Sequence, residues 1–295
     1  MERVFSFFKK SYSPYLLLGL IIVGVYYKFF FFGKIPFPGD LLVVSYSPWF
    51  DYYKFPVQNP LISDVFSQFF LWKYLAIDLL KSWQYPLWNP YSFTGTPLLA
   101  TYHSATLYPL NILLLITKYW GWGLFIFSQT LLAAINMHLL LSRWVDSKLA
   151  RLTGALIFAL GGLMTTWLEL GTAVHAIAWL PLSLYFIECY RTYFKSRYLF
   201  LLVGSQTMLI LAGNAQISTY SIIILFIFTL IRGFDKNLKK FTIYFFPIIA
   251  SLAFSLLLCS LQLLPSLDLL NKSIRLTESY TGEFNFGLLP NQDIL

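Results

Sequence analysis

The residues able to do chemistry are few: 13 acids, 21 Lys and Arg and 3 His in 295 residues. Asp40, in FPGDLL, stands just beyond a long apolar run from about 12 to 32. A carboxylate there can serve as a general base that takes the proton of a hydroxyl. It is equally placed to be a turn residue after Pro38-Gly39. Asp64 opens a helical pattern, where the helix dipole favours an acid by about 0.3 to 1 kcal/mol. As a second acid facing Asp40 it would bind a metal or orient an acceptor. Glu169 and His175 flank Gly171 at a turn between apolar runs, a costly setting for ionisable groups that often marks function. They could instead pair with each other or with a loop cation. His103 lies in a Pro-rich loop, where it contacts phosphate or acceptor or is simply structural. Asn214 and Gln216 sit at a break between two short apolar runs, as caps or as cavity lining. Lys73, Lys81 and Lys118 could hold a phosphate, or snorkel at a membrane interface.

The elements that position these groups belong to a membrane protein. The chain is 58% hydrophobic, 20% aromatic and 12% charged, against roughly 25% charged in soluble domains. Its apolar residues fall in long runs, as hydrocarbon-spanning helices of about 20 residues do. The net charge of +8 is spread over short connections, forming no arm or face that would bind nucleic acid. The two cysteines, Cys189 and Cys259, suggest neither a disulfide framework nor a thiolate metal site. The run 12–32 is too long for a signal-peptide core and reads as a retained first span.

Further runs lie near 107–117, 123–142, 152–169, 173–190, 199–212, 216–231 and 242–264. If every run crossed, Arg143, Lys148 and Arg151 would fall opposite the basic N-terminus, against the positive-inside rule. The segment 107–117 is short and contains Pro109, so it is expected to be re-entrant or interfacial. About seven crossings remain, with the N-terminus cytoplasmic. Four basic clusters then share one side: Arg3/Lys9/Lys10, Arg143/Lys148/Arg151, Arg191/Lys195/Arg197 and Arg232/Lys236/Lys239/Lys240. Between Ser63 and Trp83 polar residues recur at 64, 67, 68, 74, 78, 81 and 82, the spacing of an amphipathic surface helix ending near Tyr85 before Pro86. The expected organisation is one all-α transmembrane domain, 1–295. It comprises a first span 12–32, an external loop 33–121 carrying the surface helix and the re-entrant segment, a helical bundle 122–264 and an external tail 265–295. The chain is expected to be the N-terminal piece of something longer.

Several segments follow one another in a recognisable order: FPGDLL at 37–42, SDVFSQFFLWKYLAIDLLKSWQYPLWNPYSFTGTPLLATYHSATLYPLN at 63–111, WLELGTAVHAIAWLPL at 167–182 and GNAQIS at 213–218. In these the chain resembles bacterial YfhO-type membrane proteins. The resemblance implies a GT-C-like architecture: a first span, a large external loop with acidic residues and surface helices, then a bundle. It also implies transfer of a sugar from a polyprenyl-phosphate donor to an envelope glycan, teichoic-acid-type polymer or glycolipid outside the cytoplasm of a bacterial plasma membrane. Asp40 and Asp64 are then the catalytic candidates, and His103, Glu169, His175, Asn214 and Gln216 line the substrate site. Trp49, Trp72, Trp83 and Trp88 would stack on sugar rings or form an interfacial aromatic belt. No cofactor follows with certainty; a divalent metal ion could assist, with ligands unknown. The competing classes are a transporter or flippase of lipid-linked sugars and a non-catalytic envelope assembly protein. Transporters place polar groups near the bilayer midplane and often carry inverted repeats; here the acids gather at the outer edge and no repeat is visible.

Overall fold

The computed structural model describes residues 13–53, 56–234 and 238–273. The basic residues Arg3, Lys9, Lys10 and Lys236, and most of the tail 265–295, lie outside the described residues.

The molecule is mostly helical. The first apolar run forms α1 (Ser13–Val25) and α2 (Tyr27–Phe32), broken at Tyr26 and ended by Gly33 in the left-handed region (φ 63). A connecting segment follows, with short helices α3 (Gly39–Val44) and α4 (Trp49–Tyr52), a 3-10 turn at Pro60–Ile62, a π turn at Val65–Phe69 and helix α5 (Phe70–Lys81). A small hairpin pairs β1 (Trp88–Asn89) with β2 (Thr96–Pro97), antiparallel, Trp88 opposite Pro97. The segment expected to be re-entrant contains a 3-10 helix, Pro109–Leu115. At about 2 Å per residue it advances roughly 14 Å, half the hydrocarbon thickness.

The bundle comprises α6 (Lys118–Leu141), α7 (Lys148–Ala159), α8 (Gly162–Thr166), α9 (Ala173–Tyr193), α10 (Ser196–Leu211), α11 (Ala215–Gly233), α12 (Leu238–Leu258) and α13 (Ser260–Asn271). Local chemistry sets the starts of several. Thr117 accepts from the backbone N–H of Trp120, Ser147 from Ala150 and Asn214 from Ile217, each a side-chain N-cap. Helix α9 is the hub, packing against α6, α10 and α11. Small residues allow the close approaches: a Cβ on Gly123 would overlap the Phe29 ring.

Four helices are long and apolar enough to cross a membrane: Tyr119–Leu141, Ala173–Tyr193, Ala215–Gly233 and Lys239–Leu258. Ser13–Val25 and Ser196–Leu211 are apolar but shorter. The run at 152–169, expected to be one crossing, is divided among α7, α8 and a 3-10 turn at Leu168–Leu170. The exposed faces of α11 and α12 carry Ile223, Ile227, Ile231, Phe246, Phe254 and Leu257, side chains that hydrocarbon would solvate.

At one end of the bundle, charge concentrates. Arg143 donates to Thr192 at 2.8 Å and lies 5.6 Å from the centre of the Tyr193 ring. Buried Glu188 accepts from Arg232 at 2.9 Å and from Arg191 at 3.5 Å. One member of each of three basic clusters, Arg143, Arg191 and Arg232, thus meets there through contacts between α9, α11 and the end of α6. The connecting segment closes the opposite end. Gln262 of α13 donates to the Leu99 carbonyl at 2.7 Å, and Ala105 packs on Gly213 (φ 89) between α10 and α11.

The pattern of polar positions misjudged one face of the surface helix. Tyr74, counted with the polar stripe, is only 5% exposed, and Lys73, expected to snorkel, is fully buried with its Nζ 5.1 Å from the centre of the Phe125 ring. Helix α5 is pressed onto α6 through this side, so two residues that read as interfacial are core. Asp78 and Lys81, on the other side, are half exposed and 3.9 Å apart.

Candidate functional site

A cavity of about 540 Å³ opens where the end of the first apolar run meets α6, α7 and the turn before α9. Its chemistry comes from Lys28, Lys34, Asp40, Gln58 and Glu169, with Tyr26 and Thr130 on the wall. Each is positioned by a different piece of chain. The break at Tyr26 leaves its hydroxyl 2.7 Å from Thr130 Oγ1 of α6, fixing the first apolar run against the bundle. Lys28 is in α2, and Lys34 follows the left-handed turn at Gly33, its N–H donating to the Lys28 carbonyl at 3.0 Å. Asp40 lies in the first turn of α3, where its Oδ2 accepts the backbone N–H of Gln58 at 2.9 Å. That bond joins the two ends of the segment 41–57.

Glu169 sits in the 3-10 turn Leu168–Leu170, outside the membrane-spanning helices. Gln129 holds this turn from α6, donating to the Leu168 carbonyl. Burial first, and the charge of Asp40 second, push the Glu169 carboxyl up to about 7. The cavity therefore brings Lys28, Lys34 and Asp40 together with a Glu169 carboxyl that stays partly protonated at neutral pH.

The other expected site residues lie elsewhere. Asp64 is exposed and accepts from Gln68 at 3.3 Å; it does not line the cavity that holds Asp40. His175 is fully buried in α9, with Nδ1 3.0 Å from the Tyr108 hydroxyl and Nε2 3.1 Å from the Phe125 carbonyl, so both ring nitrogens are engaged within the bundle. His103 stacks on Phe69, ring centres 4.8 Å apart. Asn214 caps α11, and Gln216 donates to the Tyr220 hydroxyl at 3.1 Å. Among the described residues no group of three or more His, Cys, Asp and Glu could hold a metal ion. Asp40 and Glu169 alone would leave most of a divalent cation's oxygen shell to water or substrate.

Sequence reasoning missed Lys28, Lys34 and Gln58 as members of this site. A signal existed for Lys28: it is a charge within an apolar run, a position that favours a functional reading. Gln58 carried none, because only the fold brings it back to Asp40.

No family model, curated protein or solved structure matches the chain.

Proposed function

We propose that this chain is a membrane glycosyltransferase that moves a sugar from a polyprenyl-phosphate donor to a cell-envelope acceptor on the extracytoplasmic side. One observation carries the reading: a single cavity, at the far end of the first span from the basic clusters, joins paired lysines to paired carboxylates. With the basic end cytoplasmic by the positive-inside rule, the cavity faces outward. The finer membrane topology, of about seven crossings in a GT-C-like arrangement, belongs to the same proposal, as does residence in a bacterial plasma membrane.

In this scheme Asp40 takes the proton of the acceptor hydroxyl as its oxygen bonds to the sugar's anomeric carbon. The bond from that carbon to the phosphate oxygen breaks, and the lipid phosphate leaves with the electron pair. Lys28 and Lys34 meet its growing negative charge. Glu169, partly protonated, donates a hydrogen bond to a substrate oxygen. This assigns the second carboxylate to Glu169 in place of Asp64.

Asp40→Asn tests the scheme, since the amide keeps the shape but cannot accept the proton. Transfer from a polyprenyl-phosphate sugar should fall by about 10² to 10⁴, with membrane abundance unchanged, whereas Asp64→Asn should have little effect. Normal transfer by the Asp40 variant would remove the residue from the mechanism.

A further inference from the structure

Between Asp40 and Gln58 the chain makes an excursion whose sequence, SYSPWFDYY at 45–53, contains five aromatic residues. Their exposures are 53% for Tyr46, 54% for Trp49, 50% for Phe50, 77% for Tyr52 and 50% for Tyr53. Exposed rings in such density mark a contact surface. The segment is built to hold them out. Ser45 closes on the Leu41 carbonyl at 2.7 Å, the Tyr53 N–H returns to the Trp49 carbonyl at 2.9 Å, and Tyr46 rests on Phe66, ring centres 6.4 Å apart.

We propose that this aromatic segment is the docking surface for the glycan acceptor of the reaction proposed above. Resting on that reading, the inference adds the acceptor's chemical class and where it binds. Two features favour a carbohydrate over a lipid surface. The patch mixes ring faces with in-plane polar groups, namely the tyrosine hydroxyls, Ser45, Ser47 and an exposed carboxylate at Asp51. Sugar rings present the same combination of flat C–H faces and equatorial hydroxyls, while a carboxylate among the rings opposes entry into hydrocarbon. The patch is also continuous with the cavity, because Asp40 and Gln58, which line it, are the residues from which the segment springs. The hairpin tip and the turn after α5 are a contrast: Tyr91 and Phe93 are 83% and 92% exposed and Trp83 is 98% exposed, yet the stretch 82–102 has no charged residue, as suits a lipid interface.

The test uses the full chain in lipid nanodiscs, with neutral tetrasaccharides, maltotetraose and chitotetraose, as probes. Titration should change tryptophan fluorescence in the millimolar range for at least one probe. Trp49→Phe should remove most of the signal, and Tyr52→Ala should weaken probe binding at least tenfold. Asp40→Asn should bind the probe as wild type does while losing transfer. If Asp40→Asn transfers normally and the probe still binds, the proposed mechanism fails and the docking surface stands. Absence of probe binding, or binding indifferent to both aromatic substitutions, overturns the inference. So does quenching of Trp49 by brominated lipid, read as the difference between wild type and Trp49→Phe, which would assign the patch to the bilayer.

Discussion

At the scale of single residues, Glu169 shows how position alters a common side chain. Its carboxyl is raised to about 7 because the turn that carries it is withdrawn from water beside Asp40. The folded state therefore holds this proton more tightly than the unfolded chain does. The linkage sign follows: stability is highest below the ordinary glutamate range near 4.5 and is lost as pH rises from there through about 7. Glu169→Gln, which fixes the neutral state, should leave thermal stability unchanged at pH 4 and raise it at pH 8, on the order of 1 to 2 kcal/mol after allowance for solvent at the cavity mouth. Thermal unfolding in nanodiscs at the two pH values measures this. Equal unfolding temperatures for wild type and variant at pH 8 would show that the carboxylate is not strained. Transfer by wild type should also change between pH 6 and 8 as this proton leaves, and the Gln variant should lack that limb of the profile.

Helix α5 shows the same physics at the scale of an element. It presents Lys73 to the bundle, fully buried, and the ammonium is pushed down to about 7 by loss of water. Around it stand the Phe125 ring of α6, centred 5.1 Å from its Nζ, and His175 of α9, whose charged form would repel it. Undocked, the lysine titrates near 10.5, so docking is penalised fully below about 7 and progressively less as pH rises toward 10.5. Lys73→Met, of similar length, should tighten α5 against α6 at pH 7 and make little difference at pH 10, whereas Lys73→Arg should loosen it throughout. Hydrogen exchange across 70–81, corrected for intrinsic rates, reads this directly; protection that is the same in wild type and Lys73→Met at pH 7 would contradict it. The helix was legible in the sequence from its spacing of threes and fours, and its end before Pro86 was close. Its buried side was less so, because a lysine and a tyrosine with long apolar stems fit an interfacial face and a packed one equally well. The site divides similarly. Asp40 and Glu169 were visible as acids outside the spans, but their sharing of one cavity depends on the break at Tyr26 and the turn at Gly171, which no local pattern encodes.

For the whole molecule, the segregation of charge is the main organising fact. Glu188, Arg191, Arg232 and Arg143 meet at one end, and the uncharged loop 82–102 anchors at the other through Leu99. Single cysteines at Ser92 and Ser196, with Cys189 and Cys259 replaced, should therefore react from opposite sides of the membrane with an impermeant thiol reagent. Ser92 should label in intact cells; labelling of position 196 from outside would reverse the orientation. The contact that anchors the loop also sets a schedule. Leu99 and its partner Gln262 are 163 residues apart, and Ala105 waits for Gly213. At roughly 5 to 20 residues per second of synthesis, the segment that carries Leu99 waits about 8 to 30 seconds before the helix that seats it exists. For that interval its tryptophans and tyrosines do without the contacts that the finished bundle gives them, a window in which the nascent chain is most open to sticking to its neighbours.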